Sequence, residues 1–130
     1  SDTLVINTIR SARSDLRKAR AQRDQEAARL RVLEEQVVVE VRAAARAVES
    51  ARRRVEAGKR AVSFAREKAH DEELRLEQGL STSHLVLEAS RIRAGEEGRL
   101  TAFIVDLLKA ITAWHKAQAT LLEARGIHLE

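Results

Sequence analysis

Histidine and carboxylate side chains come nearest, in this sequence, to metal or acid–base chemistry. The chain has no Cys and four histidines, which lie far apart: His70, His84, His115 and His128. On a helix, His70 would share a face with Glu73, and His84 would share a face with Glu88. A protein zinc site takes at least three such ligands, and neither pair has a third. We therefore expect no metal site and no cofactor.

The composition predicts helices and argues against a catalytic pocket. The chain has 130 residues, 34% charged and 44% apolar, with five Gly, no Pro and only 2% aromatic residues. A β-sandwich or barrel needs frequent Gly and Pro turns, so this balance favours long helices and coiled coils. A pair of such helices encloses no pocket in which a Ser nucleophile and a His base could be oriented. We expect no enzymatic activity.

Charge is distributed unevenly along the chain. Residues 1–60 carry 15 basic and 9 acidic side chains, whereas residues 61–130 carry 9 and 11. The acidic residues of the first half are interspersed among the basic ones, which is typical of a solvated helix face. No aromatic residue accompanies the basic ones as a platform for base stacking. We therefore expect no nucleic-acid binding, and a basic helical nucleic-acid binder is the least favoured alternative.

Apolar residues spaced three and four apart predict one long helix over about residues 3–77. Polar residues interrupt this seam at two places, Arg23 with Glu26 and Glu72 with Glu73. The spacing is that of a coiled-coil heptad, and two successive steps of four at Val37 and Val41 form a stutter. The seam comprises Ile9, Ala12, Leu16, Ala19, Leu30, Leu33, Val37, Val41, Ala44, Val48, Ala51, Val55, Gly58, Val62, Ala65, Ala69 and Leu76.

Residues 78–82 break the helical pattern, and a second helix is predicted over about residues 83–124. Gly79 suits the left-handed residue just past a helix end, and Ser81 or Thr82 can cap the next helix. The second seam, closed by Gly126, comprises Val86, Ala89, Ile92, Leu100, Phe103, Leu107, Ala110, Trp114, Ala117 and Leu121. The predicted fold class is all-α, a single antiparallel coiled-coil helical hairpin over residues 1–130.

Folding back at the turn fixes which residues should face each other. Their numbers sum to about 161, so Phe103 is predicted to lie against Gly58, and Trp114 against small residues near Val48. The first helix is longer by roughly 47 Å at 1.5 Å per residue, which leaves residues 1–33 without a partner in the chain. We call residues 1–33 the overhang. We expect it to self-associate, most simply as an antiparallel dimer, or to fray.

The residues around the break also resemble a known family. Residues 75–89, RLEQGLSTSHLVLEA, resemble the periplasmic tip of TolC-like outer-membrane efflux proteins, where Arg-Tyr-x-x-Gly-Leu-x-Ser-x-x-Asp-Val-Leu-x-Ala is usual. Residues 7–13 resemble the point where family members leave a β-hairpin and enter the long helix. Residues 117–126 resemble the stretch that closes each repeat, so the likeness covers essentially the whole chain.

The resemblance implies the helices of one repeat, the second, of a homotrimeric duct in the cell outer membrane. Its periplasmic α-barrel would be a passive conduit that docks a periplasmic adaptor fed by an inner-membrane pump, and this chain would be a fragment of it in the periplasm. The implied adaptor-binding residues are Arg75, Gly79, Leu80, Ser81, Thr82 and Ser83. The implied pore constriction is formed by Leu85 and Glu88. Nothing in the sequence indicates the exported substrate.

Two positions depart from the family pattern, and two alternatives stay open. Leu76 stands where Tyr is usual, and Leu85 stands where Asp is usual, so only Glu88 keeps a carboxylate of the acidic pair that lines the constriction in relatives. In the alternative interpretation Leu85 packs within the hairpin and Glu88 is simply solvated. The alternative function is a stand-alone, self-associating coiled-coil scaffold.

Overall fold

The computed structural model of the chain describes residues 1–126 and consists of two α-helices packed against each other. α1 spans Asp2–Glu77 and α2 spans Ser83–Ala124. The described residues contain no strand, and the predicted all-α helical hairpin is confirmed. The observed bounds lie within one residue of those expected from the periodicity.

The helical state prevails even where the local sequence favours a strand. Residues 37–41 are four valines and one glutamate, yet they lie within α1. Strand preference of Val over a helix former amounts to a few tenths of a kcal/mol per residue, whereas an apolar seam continuing through Val37 and Val41 favours the helix over its whole length. Asp2 in the first turn and Arg75 in the last complement the helix dipole.

The described residues form two compact units, and the larger one, residues 40–119, contains the core. The buried residues are all small or β-branched members of the α1 seam: Ala51, Val55, Gly58, Val62, Ala65 and Ala69. Their steps of four and three are those of a coiled-coil seam. The facing α2 residues, such as Phe103, Leu107 and Trp114, are only half-buried, because each extends beyond the single helix it covers.

Contacts in this unit confirm the predicted register. A Cβ atom added to Gly58 would lie 3.1 Å from Cδ2 of Phe103 and 3.2 Å from Cδ1 of Leu100. Further along, Nε of Arg66 donates to Oε1 of Glu97 at 2.9 Å. The absence of a side chain at Gly58 therefore lets α2 approach α1 at the position where Phe103 needs room.

The prediction is wrong for one residue of the α2 seam. Ile92 was expected to pack in the seam, but its side chain is 56% exposed. Alternating steps of four and three, counted back from Leu100, reach Glu96, Arg93 and Ala89, so Ile92 lies one position to the side. The half-buried residues here are Ala89, Ser90, Glu96 and Glu97.

The smaller unit comprises residues 1–39 and the described part of the segment that begins at Thr120. Every residue of the overhang is exposed. Burial in this unit is confined to half-buried residues in two stretches, 34–38 and 121–124. The overhang is therefore a helix with an uncovered apolar stripe, as the periodicity predicts. Within residues 1–126, neither helix has an apolar stretch long enough to cross a bilayer.

Candidate partner-binding site at the hairpin tip

The turn between the helices is closed by a Schellman motif, and we call residues 75–83 the hairpin tip. The backbone N–H of Gly79 donates to the carbonyl of Leu76 at 2.9 Å, and that of Leu80 donates to the carbonyl of Arg75 at 2.8 Å. Gly79 has φ +75°, the left-handed conformation that this motif requires. The prediction that Gly79 ends α1 is confirmed.

Thr82 rather than Ser81 caps α2. The Oγ1 atom of Thr82 accepts a hydrogen bond from the N–H of Leu85 at 3.3 Å, which is the N-cap to N3 pattern. Its backbone carbonyl also accepts from the N–H of Val86 at 3.1 Å. The sequence left the two hydroxyl residues as equal candidates, and the structure separates them.

Ser81 instead connects the turn to α1. Its hydroxyl donates to the carboxylate of Glu72, which also lies 4.0 Å from a guanidinium nitrogen of Arg75. Glu72 is largely covered, with 21% of its side chain exposed. This polar cluster fixes the turn against the end of α1, so the exposed tip residues are presented by an ordered backbone.

The outward side of the tip carries the groups that a partner could contact. Leu80 is 66% exposed, although the residue after the glycine of a Schellman motif commonly packs back on the helix. Thr82 and Ser83 are exposed beside it, and the Arg75 side chain is 60% exposed. The tip thus presents one uncovered aliphatic side chain, small hydroxyl residues and one cation.

An open groove of about 430 Å³ lies between the helices next to the tip, and we call it the tip-side groove. Its walls include the exposed apolar side chains of Phe64, Leu85 and Ile92, and its floor includes buried Ala65. Lys68 lies with its Nζ atom 5.7 Å from the Phe64 ring centroid, a cation–π contact. The acidic residues on the groove are Glu72, Glu88 and Glu96, so its rim is mainly negative.

The two residues implied for the pore constriction both line this groove. Leu85 is 45% exposed, so it is not buried in the seam. Glu88 is exposed. Their side chains are therefore accessible in the isolated chain, and the structure brings them together with Phe64, which sequence reasoning did not single out.

A cluster of charged side chains joins α1 to α2 in the larger unit. The hydrogen bond from the Arg66 guanidinium lowers the pKa of the Glu97 carboxyl below its ordinary value, partial desolvation opposes this, and Arg93 lowers it further. Nε of Arg93 lies 3.3 Å from the same carboxylate oxygen, Oε1. Since Arg66 is on α1 and Arg93 is on α2, Glu97 forms a charged bridge across the helices.

No histidine forms part of a multidentate site in the described structure. Residues 1–126 hold no cluster of three or more His, Cys, Asp or Glu side chains that could bind a metal ion. The ring of His115 instead lies beside Trp114, with centroids 5.4 Å apart. His128 lies outside the described residues.

Sequence reasoning missed the tip-side groove, although its pattern is present. Ala61, Phe64 and Lys68 are spaced as one helix face, and Leu85 and Ile92 are seven residues apart on another. Both rows lie beside the seam, so following a single apolar stripe along each helix does not identify them. Comparisons with protein-family models, curated proteins and solved structures found no match to this chain. The geometry of the tip and the resemblance in residues 75–89 are therefore the observations that bear on function.

Proposed function

We propose that this chain is a periplasmic α-barrel segment of an outer-membrane efflux duct, a passive conduit that docks a periplasmic adaptor through the hairpin tip. The observation that supports this best is the position of the TolC-like signature. The glycine of this signature, Gly79, has the positive φ that the turn needs, and the side chain of the following residue, Leu80, is exposed to solvent. A signature of this kind in mid-helix would have argued against the proposal.

The role of each tip group follows from its chemistry. Leu80 would enter an apolar pocket of the adaptor, where burying a leucine contributes about 1.5 to 3 kcal/mol. The hydroxyls of Thr82 and Ser83 and the guanidinium of Arg75 would supply hydrogen bonds that orient the contact. The bond from Ser81 to Glu72 keeps these groups in place before docking, which reduces the ordering cost of association.

In a homotrimer coupled to an inner-membrane pump, neighbouring helices would cover the apolar surfaces that this chain leaves exposed. The tip-side groove and the overhang are two surfaces of this kind. Leu85 and Glu88, on the groove, would then lie at the constriction, where three copies of Glu88 would favour cations. The proposal assigns no catalytic residue, metal or cofactor to the chain, and it places the segment in the periplasm.

The docking role can be tested in the organism that encodes the chain. Leu80→Trp should raise the accumulation of a fluorescent efflux substrate such as ethidium to the level of a gene deletion, because the bulkier ring spoils the adaptor contact. Ser50→Trp, a change at an exposed residue of α1 away from the tip, is the matched control and should export normally. Immunoblots of the outer-membrane fraction must show equal amounts of both variants. Normal export by Leu80→Trp at equal abundance would refute adaptor docking through this residue.

A second candidate function is a stand-alone, self-associating coiled-coil scaffold in the cytosol, and the exposed overhang favours it. Such a scaffold needs no tip contact, so Leu80→Trp would have no phenotype. Cell fractionation separates the two functions before any mutagenesis. Recovery of the native protein in the outer-membrane fraction supports the duct, whereas recovery in the cytosol supports the scaffold.

A further inference from the structure

A straight row of arginines lies on the outer side of α1, in the larger unit. Arg46, Arg53 and Arg60 are seven residues apart, so they share one face of the helix and follow each other at steps of about 10.5 Å. All three are exposed, and 75% of the Arg53 side chain is accessible to solvent. The buried residues between them face α2, so these arginines face solvent. We call the three residues the arginine row.

A neighbouring row of cations has the same spacing but is neutralised within the chain. Each of its members lies within 3.2 Å of a carboxylate oxygen: Arg52 of Glu49, Lys59 of Glu56, and Arg66 of Glu97. In the arginine row, by contrast, Arg46 and Arg60 have no ion pair in the described part of the chain. Arg53 donates to Glu49 from Nε alone, at 3.1 Å. The arginine row therefore keeps guanidinium donors available for an external anion.

The surroundings of the arginine row argue against a partner bound through apolar or aromatic contacts. The valines of residues 40–63 are buried or half-buried, and this stretch has no aromatic residue. Insertion into a bilayer needs exposed large apolar side chains. Binding of single-stranded nucleic acid needs aromatic platforms on which bases stack. The row is therefore suited to a partner that is bound through charge.

We propose that the arginine row binds an anionic polysaccharide that carries one carboxylate per disaccharide. The step of about 10.5 Å between successive arginines is close to the length of a disaccharide, whereas successive phosphates of a nucleic acid strand lie much closer together. Each guanidinium can form a bidentate pair with one carboxylate. A polymer that meets all three arginines gains from effective concentration. This inference goes beyond the efflux proposal and does not depend on it.

Binding of hyaluronan, which has one glucuronate per disaccharide, tests the proposal. Fluorescence anisotropy of an end-labelled hyaluronan hexasaccharide, titrated with the full 130-residue chain at low ionic strength, measures the dissociation constant. The triple variant Arg46→Gln, Arg53→Gln and Arg60→Gln should raise this constant roughly thirtyfold, since each exposed ion pair contributes a factor of about three. Glutamine is a good helix former, so circular dichroism should show unchanged helicity. A parent chain that does not bind the hexasaccharide overturns the proposal.

Three other arginines of α1 provide the matched control. Arg10, Arg17 and Arg31 follow the same heptad spacing, but Asp24 interrupts their row. The triple variant Arg10→Gln, Arg17→Gln and Arg31→Gln loses the same net charge. It should bind the hexasaccharide within about a factor of two of the parent chain, because salt screens charges over roughly 10 Å. Equal weakening by both triple variants would show that net charge, rather than the arginine row, holds the ligand, and would overturn the proposal.

The length and class of the polymer give a second test. The hyaluronan disaccharide should displace the labelled hexasaccharide only at far higher concentration than the unlabelled hexasaccharide does, because it meets one arginine at a time. Equal potency of the two would mean that the spacing of the row is not used, and would overturn the proposal. Tighter binding of a single-stranded DNA of equal net charge would overturn the assignment to a polysaccharide.

Discussion

At the scale of single residues, Gly58 is a position where the two helices approach each other closely. A Cβ atom there would lie 3.1 Å from Phe103 and 3.2 Å from Leu100, which is closer than ordinary van der Waals contact. Gly58→Leu adds three further carbons and should lower the free energy of unfolding by about 1–3 kcal/mol, despite the better helix propensity of Leu. Urea unfolding followed by circular dichroism measures this change.

Gly95 offers the matched control for that prediction. It also lies inside a helix, but a Cβ atom added there meets no atom within 4 Å. Gly95→Leu should therefore show the propensity effect alone and raise the free energy of unfolding by up to about 1 kcal/mol. A gain in stability for both variants would mean that Phe103 does not lie against Gly58.

At Gly79, the effect of backbone strain on stability can be measured without steric crowding. Its φ of +75° is disfavoured for residues with a side chain, yet a Cβ atom there would meet nothing within 4 Å. Gly79→Val should thus lower the free energy of unfolding by about 1–2 kcal/mol through the backbone alone. Gly79→Asn, which tolerates this conformation better, should cost less, and the order is measured by thermal unfolding. Equal stability of Gly79→Val and the parent would contradict a left-handed Gly79 in solution.

At the scale of the helices, Glu97 makes their association dependent on pH. Its pKa is lowered in the folded chain by Arg66 and Arg93, so between that lowered value and the ordinary carboxyl value of about 4.3 the unfolded chain binds more protons. The stabilisation by Glu97 is therefore complete above about pH 4.3 and is lost as the pH falls further. Glu97→Gln should flatten the decline of the melting temperature between pH 6 and 3.

Glu67→Gln is the control for this pH effect, since Glu67 forms no ion pair in the described part of the chain. It should retain the acid-induced decline of the parent. If Glu97→Gln also retained it in full, the bridge across the helices would not form in solution.

At the scale of the whole molecule, stability should differ sharply between the two units. The α1 seam from Ala51 to Ala69 is buried, whereas every residue of the overhang is exposed. Regions with few buried apolar contacts open most readily. In dilute solution the backbone amides of residues 2–33 should therefore exchange far faster than those of residues 51–69. Raising the concentration should slow exchange in the overhang alone, as a second copy covers it.

Hydrogen exchange with mass spectrometry at two concentrations checks that expectation. Slow exchange of the overhang in a chain shown to be monomeric would contradict it. That result would mean that the overhang has a partner within the chain, which its exposure does not show.

Much of this architecture is determined by the sequence alone. Heptad spacing sets both helices, Gly79 sets the turn, and the two together set the register that brings Phe103 to Gly58. Each of these follows from backbone geometry, because 3.6 residues per turn and a left-handed glycine are local properties of the chain. The uncovered overhang follows as well, since it is a difference in length.

Tertiary structure alone decided what lies beside the seam. It placed Ile92 on the tip-side groove rather than in the seam, and it assigned the cap to Thr82 while Ser81 bonds to Glu72. Local sequence could not decide these points, because a side chain at the edge of a stripe is buried or exposed according to the facing helix. The half-burial of Trp114 has the same cause, since one facing helix is too narrow to cover an indole ring.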